Sequence, residues 1–173
     1  MNKLSKIKNK IVDRNHLKQL VANWKKDYQQ VVFTNGCFDI LHRGHIEYLA
    51  HSADFGNRLI IAINSDASVK SLDKGSSRPI QDEYSRALII ATLNFVDAVI
   101  IFDEQTPLEL IKLLVPDILI KGGDYDANCS DKLNKKYIVG SDVVKANGGK
   151  VEVIQFVTGF STSKIEEKIK ACK

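Results

Sequence analysis

Along the chain, apolar positions fall alternately into short unbroken runs and into helical stripes. Val31-Val32-Phe33 is a β-branched and aromatic run that reads as a buried strand, broken by Thr34-Asn35-Gly36-Cys37. Ile46, Leu49, Ala50 and Ala53 then repeat at i, i+3, i+4 and i+7, the stripe of an amphipathic helix. Phe55-Gly56-Asn57 would end that helix through a left-handed residue. Leu59 to Ile63 is continuously apolar, as in a parallel strand covered on both faces. Tyr84, Ala87, Leu88, Ala91 and Phe95 stripe a helix over 83–95, and Val96 to Phe102 gives the next strand. Thr106-Pro107-Leu108-Glu109 reads as a capping box with proline at the first helical position. That helix ends before Pro116, and Asp117 to Lys121 forms another strand. A helix over 131–147, stopped by Gly148-Gly149, a strand at Val151 to Ile154, and a helix carrying Ile165 and Ile169 complete the pattern.

Upstream, Leu17, Leu20, Val21 and Trp24 give 13–26 a helical stripe, whereas 1–12 is polar and basic and reads as a loosely docked arm. Strands alternating with helices predict an α/β fold, a single-domain, Rossmann-like, doubly wound parallel sheet. Residues 1–26 would be an N-terminal arm and helix, and 27–173 the main domain.

Composition narrows the function classes. The 173 residues, 44% hydrophobic and 27% charged, suit one soluble domain with a sizeable core. The net charge of +4 comes from scattered lysines without aromatic interleaving, which favours anionic small substrates over nucleic acid. Three cysteines without framework spacing suit a reducing compartment. No signal-peptide core or membrane-length apolar segment stands out, so a cytoplasmic protein acting away from the membrane is expected.

Three stretches carry chemistry. His42-Arg43-Gly44-His45 stands at a helix start, where two imidazoles three apart share a face beside the helix's open N–H groups. Gly44 leaves room for a phosphate chain. A zinc site would need a third and fourth ligand that the spacing does not supply. Lys121-Gly122-Gly123-Asp124-Tyr125, at the end of a strand, can surround an anion with a cation and backbone N–H groups. Gly159, Ser161, Thr162 and Ser163 precede the last helix. Ser163 with Glu166 satisfies a capping box, and the remaining hydroxyls can bind phosphate oxygens. Asn64 and Asp66 lie at another strand's carboxyl end, the edge where such sheets bind ligands. The polar connection over 68–81 is long enough for a functional loop.

Gly36 to His45 resembles the GxFDxxHxGH signature of the cytidylyltransferase-like nucleotidyltransferases. The resemblance runs on through RLIIAINSDASVKSL with RPI, DILIKGGDY, NGGKVEVIQFV and GFSTSKI, in the order of the adenylyltransferase half of bacterial ADP-heptose synthases. Many of those are fused to a sugar kinase, and this chain resembles a stand-alone form. The resemblance implies AMP transfer from ATP to D-glycero-D-manno-heptose 1-phosphate, releasing pyrophosphate, with the ADP-heptose destined for lipopolysaccharide or related glycans. It assigns His42 and His45 to the α-phosphate, and Ser161, Thr162 and Ser163 to the β,γ-phosphates. Lys70 or Lys121 would supply charge. Phe33, Thr34, Asn35 and Gly36 would form a strand-end cradle, with Cys37, Phe38 and Asp39 beside it.

Lys70 and Arg78 resemble the basic loop that closes over phosphates, ahead of Lys74, and Arg86 falls where relatives often carry an arginine near the site. The last motif departs from the family's ISSTxxR by lacking the arginine, which leaves open the cation for the β,γ-phosphates. Mg²⁺ is expected with ATP, as is a homodimer or larger assembly. A cytidylyltransferase acting on glycerol 3-phosphate and a non-catalytic nucleotide sensor are the alternatives.

Overall fold

The computed structural model describes residues 2–72 and 78–172. Five parallel strands, β1 (Val31–Gly36), β2 (Arg58–Asn64), β3 (Ala98–Phe102), β4 (Ile118–Gly122) and β5 (Lys150–Ile154), lie in the order β3-β2-β1-β4-β5. The helices are α1 (Lys3–Lys8), α2 (Arg14–Lys26), α3 (Arg43–Ala53), α4 (Asp66–Ser71), α5 (Glu83–Ala91), α6 (Leu108–Leu114), α7 (Ser141–Ala146) and α8 (Thr162–Ala171). This is the predicted doubly wound Rossmann-like α/β fold, whose strand order reverses direction between β1 and β4. Among the described residues no helix is long and apolar enough to cross a membrane.

The strands' period of two splits the core between the sheet's faces. Phe33, Ile60, Ile100 and Leu119 pack with Leu17 and Val21 of α2, Leu110, Ile111 and Leu114 of α6, and Val144 of α7. Val32, Leu59, Ile61, Ile63 and Ile120 pack with Tyr48 and Leu49 of α3 and with Ala87, Ile90 and Ala91 of α5.

Several local expectations need correction. The N-terminal residues are docked rather than loose. Val12 N–H donates to Val99 O (2.9 Å) and Val99 N–H to Lys10 O (2.8 Å), so this segment covers the β3 edge. Strand β1 does not break at Thr34, since Thr34, Asn35 and Gly36 stay in register with Ile61, Ala62 and Ile63. Gly56 does not adopt a left-handed conformation; a Cβ there would lie 2.7 Å from Val32 Cγ2 and 2.9 Å from Gln30 O, so close packing is what excludes a side chain.

Helix α5 stops at Ala91, and its buried face is Arg86, Ala87, Ile90 and Ala91, leaving Tyr84 46% exposed. Pro107 is the N-cap of α6 rather than its first residue, and no side chain caps that helix. The 131–147 helix shrinks to α7. Asp126, Asp131 and Asn134 accept hydrogen bonds from the backbone N–H groups of Asn128, Leu133 and Lys136, giving the chain local turns in place of a helical ladder. The last helix is capped by Ser161, whose Oγ accepts from Lys164 N–H, so Ser163 lies inside the helix and not at its cap.

Candidate active site

Strands β1 and β4 share register only at Val32–Ile118 and Phe33–Leu119. Beyond that point they diverge, and a crevice opens at their carboxyl ends. Tyr48, projecting from α3, fills the gap: its hydroxyl lies 2.6 Å from Thr34 Oγ1 and 3.4 Å from Ile120 O. Burial pushes the Tyr48 phenol up to about 12, so it stays protonated. Above the gap lies a cavity of about 550 Å³ whose lining includes Asn35, Gly36, Cys37, Phe38, His45, Lys121 and Gly122.

The His42 and His45 rings stack at 3.8 Å between centroids, 18° from parallel. Both Nδ1 atoms are buried without a hydrogen bond of ordinary geometry. His42 is itself the N-cap of α3 and contributes no side-chain cap, so its helix start keeps its capacity for an anion. Burial lowers the His42 pKa. Burial, then the neighbouring His42, bring His45 down to about 4, with the backbone at Ile40 pulling the other way. Two imidazoles with buried, unsatisfied Nδ1 atoms at an uncapped helix start suit a negatively charged group, which would raise both pKa values. Gly44 is tightly enclosed: a Cβ there would lie 3.2 Å from the His42 ring and from Phe160 Cβ.

Around this pair the predicted residues sort themselves. Lys121 Nζ donates to Asn35 Oδ1 (2.5 Å) across the seam. Arg78 lines the cavity and pairs with Glu166 of α8 at 2.7 Å, so a cation does stand beside the last motif, supplied from a distant segment. Thr162 also lines the cavity. Asp39 is buried and accepts N–H bonds from Ile80 (2.9 Å) and Gln81 (3.0 Å), anchoring the chain that carries Arg78. Asn64 lines the cavity and donates to Ser68 Oγ (2.9 Å).

Others stand apart from the cavity. Phe33 is fully buried in the core, and Thr34 is buried against Tyr48. Arg86 is no solvated residue: it is fully buried, donating to Asp66 Oδ1 (2.6 Å), Cys37 O (2.7 Å) and Gln81 O (3.0 Å), a strut beneath the signature loop. Asp66 is therefore committed to Arg86. Lys70 sits on the exposed face of α4. Asp124, Gly159 and Ser163 are exposed, and Ser161 is engaged as a cap. Lys74 lies outside the described residues.

The sequence pattern did not single out Tyr48, Gln105, Lys135, Tyr137 or Phe156, and it read Thr106 only as a helix cap; all of these line the cavity. Tyr48 was detectable, three residues beyond His45 on the same helix face. Phe156 lies over Gly122 and Gly123, where a Cβ would meet its ring at 2.3 and 2.6 Å; those glycines make room for an aromatic side chain.

A family described as cytidylyltransferase-like matches residues 33–168. Over 159 residues the chain is 50% identical to the bifunctional protein HldE of Koribacter versatilis, covering 92% of this chain and 31% of that protein. Over 152 residues it is 55% identical to HldE of Campylobacter jejuni subsp. jejuni, covering 88% and 30%. The chain thus spans about three tenths of the length of the curated relatives it matches. Among solved structures, a lipopolysaccharide core biosynthesis protein from Thermoplasma volcanium superposes with a TM-score of 0.56 at 27% identity, covering 75% of this chain and 97% of that one. A pantoate–β-alanine ligase from Francisella tularensis superposes with a TM-score of 0.59 at 14% identity over 92% of this chain and 76% of that one, a likeness of fold alone.

Proposed function

We propose that this chain, which belongs to the cytidylyltransferase-like family, transfers AMP from ATP to D-glycero-D-manno-heptose 1-phosphate, giving ADP-heptose and pyrophosphate. The observation that carries the chemistry is the stacked His42–His45 pair, with both Nδ1 atoms unsatisfied at an uncapped helix start over the β1/β4 crevice. The acceptor choice rests on the motif order shared with ADP-heptose synthases. Identity of 50–55% to the bifunctional relatives over about nine tenths of the chain supports it.

In this reading the α-phosphate sits against His42 and His45. Phosphoryl-type transfer asks for positioning and charge neutralisation, and preorganised donors at the site of developing charge meet that need. Arg78 and Thr162 face the β,γ-phosphates, and Lys121, held by Asn35, places a further cation at the strand edge. Magnesium enters as part of the substrate, MgATP; among the described residues no group of three or more His, Cys, Asp or Glu converges to hold a resident ion. Cytoplasmic residence and a homodimer or larger assembly belong to the same reading.

The test is pyrophosphate release with Mg²⁺, pairing ATP, CTP or GTP with α- and β-heptose 1-phosphate or glycerol 3-phosphate. Release requiring ATP and one heptose 1-phosphate is expected. Release confined to CTP with glycerol 3-phosphate would move the substrate class. Nucleotide binding without turnover on any acceptor would mark a sensor.

A further inference from the structure

The crevice has two walls, built from opposite faces of the sheet. One carries His45 on α3, backed by His42 stacked on it from that helix's N-cap, together with Arg78, and Thr162 on α8. These belong together: Gly44 of α3 abuts Phe160, which precedes α8, and Arg78 pairs with Glu166 on α8. The other wall comes from the start of α6 and from the segment between β4 and α7, contributing Gln105, Thr106, Tyr125, Lys135 and Tyr137 to the same cavity. Ile138 pins that segment into the core with Ile111 and Val144, on the sheet face away from α3. Asp126 N–H donates to Lys136 O (3.0 Å), and the Asx turns at Asp126, Asp131 and Asn134 hold the intervening loop, so this wall is built.

In-line displacement puts the entering and leaving oxygens on opposite sides of the α-phosphorus. With pyrophosphate leaving along the wall of Arg78 and Thr162, the attacking oxygen arrives from the other. There, Lys132 is paired with Asp142 (2.7 Å) and Lys145 with Ala127 O, while Lys135 makes no ion pair or hydrogen bond among the described residues. Tyr137 donates its hydroxyl to Asp142 (3.1 Å), leaving the oxygen's lone pairs for an incoming donor. Gln105 and Thr106 are exposed and cap nothing. An exposed, unpaired ammonium that lines one cavity together with neutral hydrogen-bonding groups matches a phosphate carried on a polyhydroxyl body.

Resting on the reaction above, we propose that this second wall is the acceptor subsite, with Lys135 holding the sugar phosphate and Tyr137, Gln105 and Thr106 reading its hydroxyls. An oxygen of the acceptor phosphate, already anionic and needing no base, forms the new bond to the α-phosphorus. The bond from that phosphorus to the β-bridging oxygen breaks, and pyrophosphate leaves with the electron pair.

Steady-state kinetics on the parent, Lys135→Ala, Lys135→Arg and Tyr137→Phe tests the assignment, with MgATP and heptose 1-phosphate varied separately. Lys135→Ala is expected to raise the acceptor KM at least tenfold and leave the ATP KM within twofold. Lys135→Arg should restore most of the loss, and Tyr137→Phe should raise only the acceptor KM. An unchanged acceptor KM in Lys135→Ala, or a parallel rise for ATP, overturns the subsite while the reaction stands. A parent inert towards heptose 1-phosphate overturns the reaction and this inference with it.

Discussion

At the scale of single residues, the chemistry concentrates in two imidazoles that the fold leaves unsatisfied. Replacing either His42 or His45 by Ala should lower kcat by about 100-fold or more, the scale seen when one preorganised donor is removed. The thermal midpoint should stay near the parent's; comparable turnover in parent and variants would remove the catalytic assignment. The titration of His45 gives a second prediction. Its pKa falls from the ordinary 6.5 to about 4 in the folded protein, so the unfolded chain binds the extra proton between those values. Stability is therefore full above pH 6.5 and is lost as pH falls toward 4, by on the order of 3 kcal/mol from this residue. A bound triphosphate reverses the shift, so nucleotide binding near pH 6 should take up protons, measurable by calorimetry in buffers of different ionisation enthalpy. The imidazole pair was legible in the sequence because a signature fixes its spacing. The strut role of Arg86 was not, since its partners Asp66, Cys37 and Gln81 converge only through tertiary contacts.

At the scale of elements, periodicity located every strand to within a few residues, because strands covered on both faces must be apolar throughout. It failed where side chains compete with the backbone. The Asx turns at Asp131 and Asn134 replaced the first part of an anticipated helix, and with the turn at Asp126 they now shape a wall of the cavity. The signature loop depends on Arg86. Arg86→Ala should cost about 3 kcal/mol or more in urea unfolding, as expected on breaking a buried ion pair. Asp66→Asn, whose side chain is 31% exposed, should cost less. Equal midpoints for Arg86→Ala and the parent would rule out the strut.

For the whole molecule, alternation of strands and helices was enough to foresee the doubly wound sheet, but the role of the N-terminal segment was not visible in its polar composition. Because 10–12 pairs with Val99, deleting 2–12 should lower the unfolding midpoint and raise light scattering by uncovering the β3 edge. Unchanged solubility and midpoint would mean that the edge is protected otherwise. The short register between β1 and β4 has a further consequence. The sheet consists of a three-strand lobe, β3-β2-β1, and a two-strand lobe, β4-β5, joined along a seam that is only partly zipped. Local opening is cheapest where hydrogen-bond protection is thinnest. Amide deuterium uptake at Ile120 and Gly122, whose N–H groups face the seam and not β5, should therefore outpace that at the centre of β2, and slow when nucleotide and acceptor together bridge the lobes. The gap that admits the substrates also makes them the clasp of the sheet.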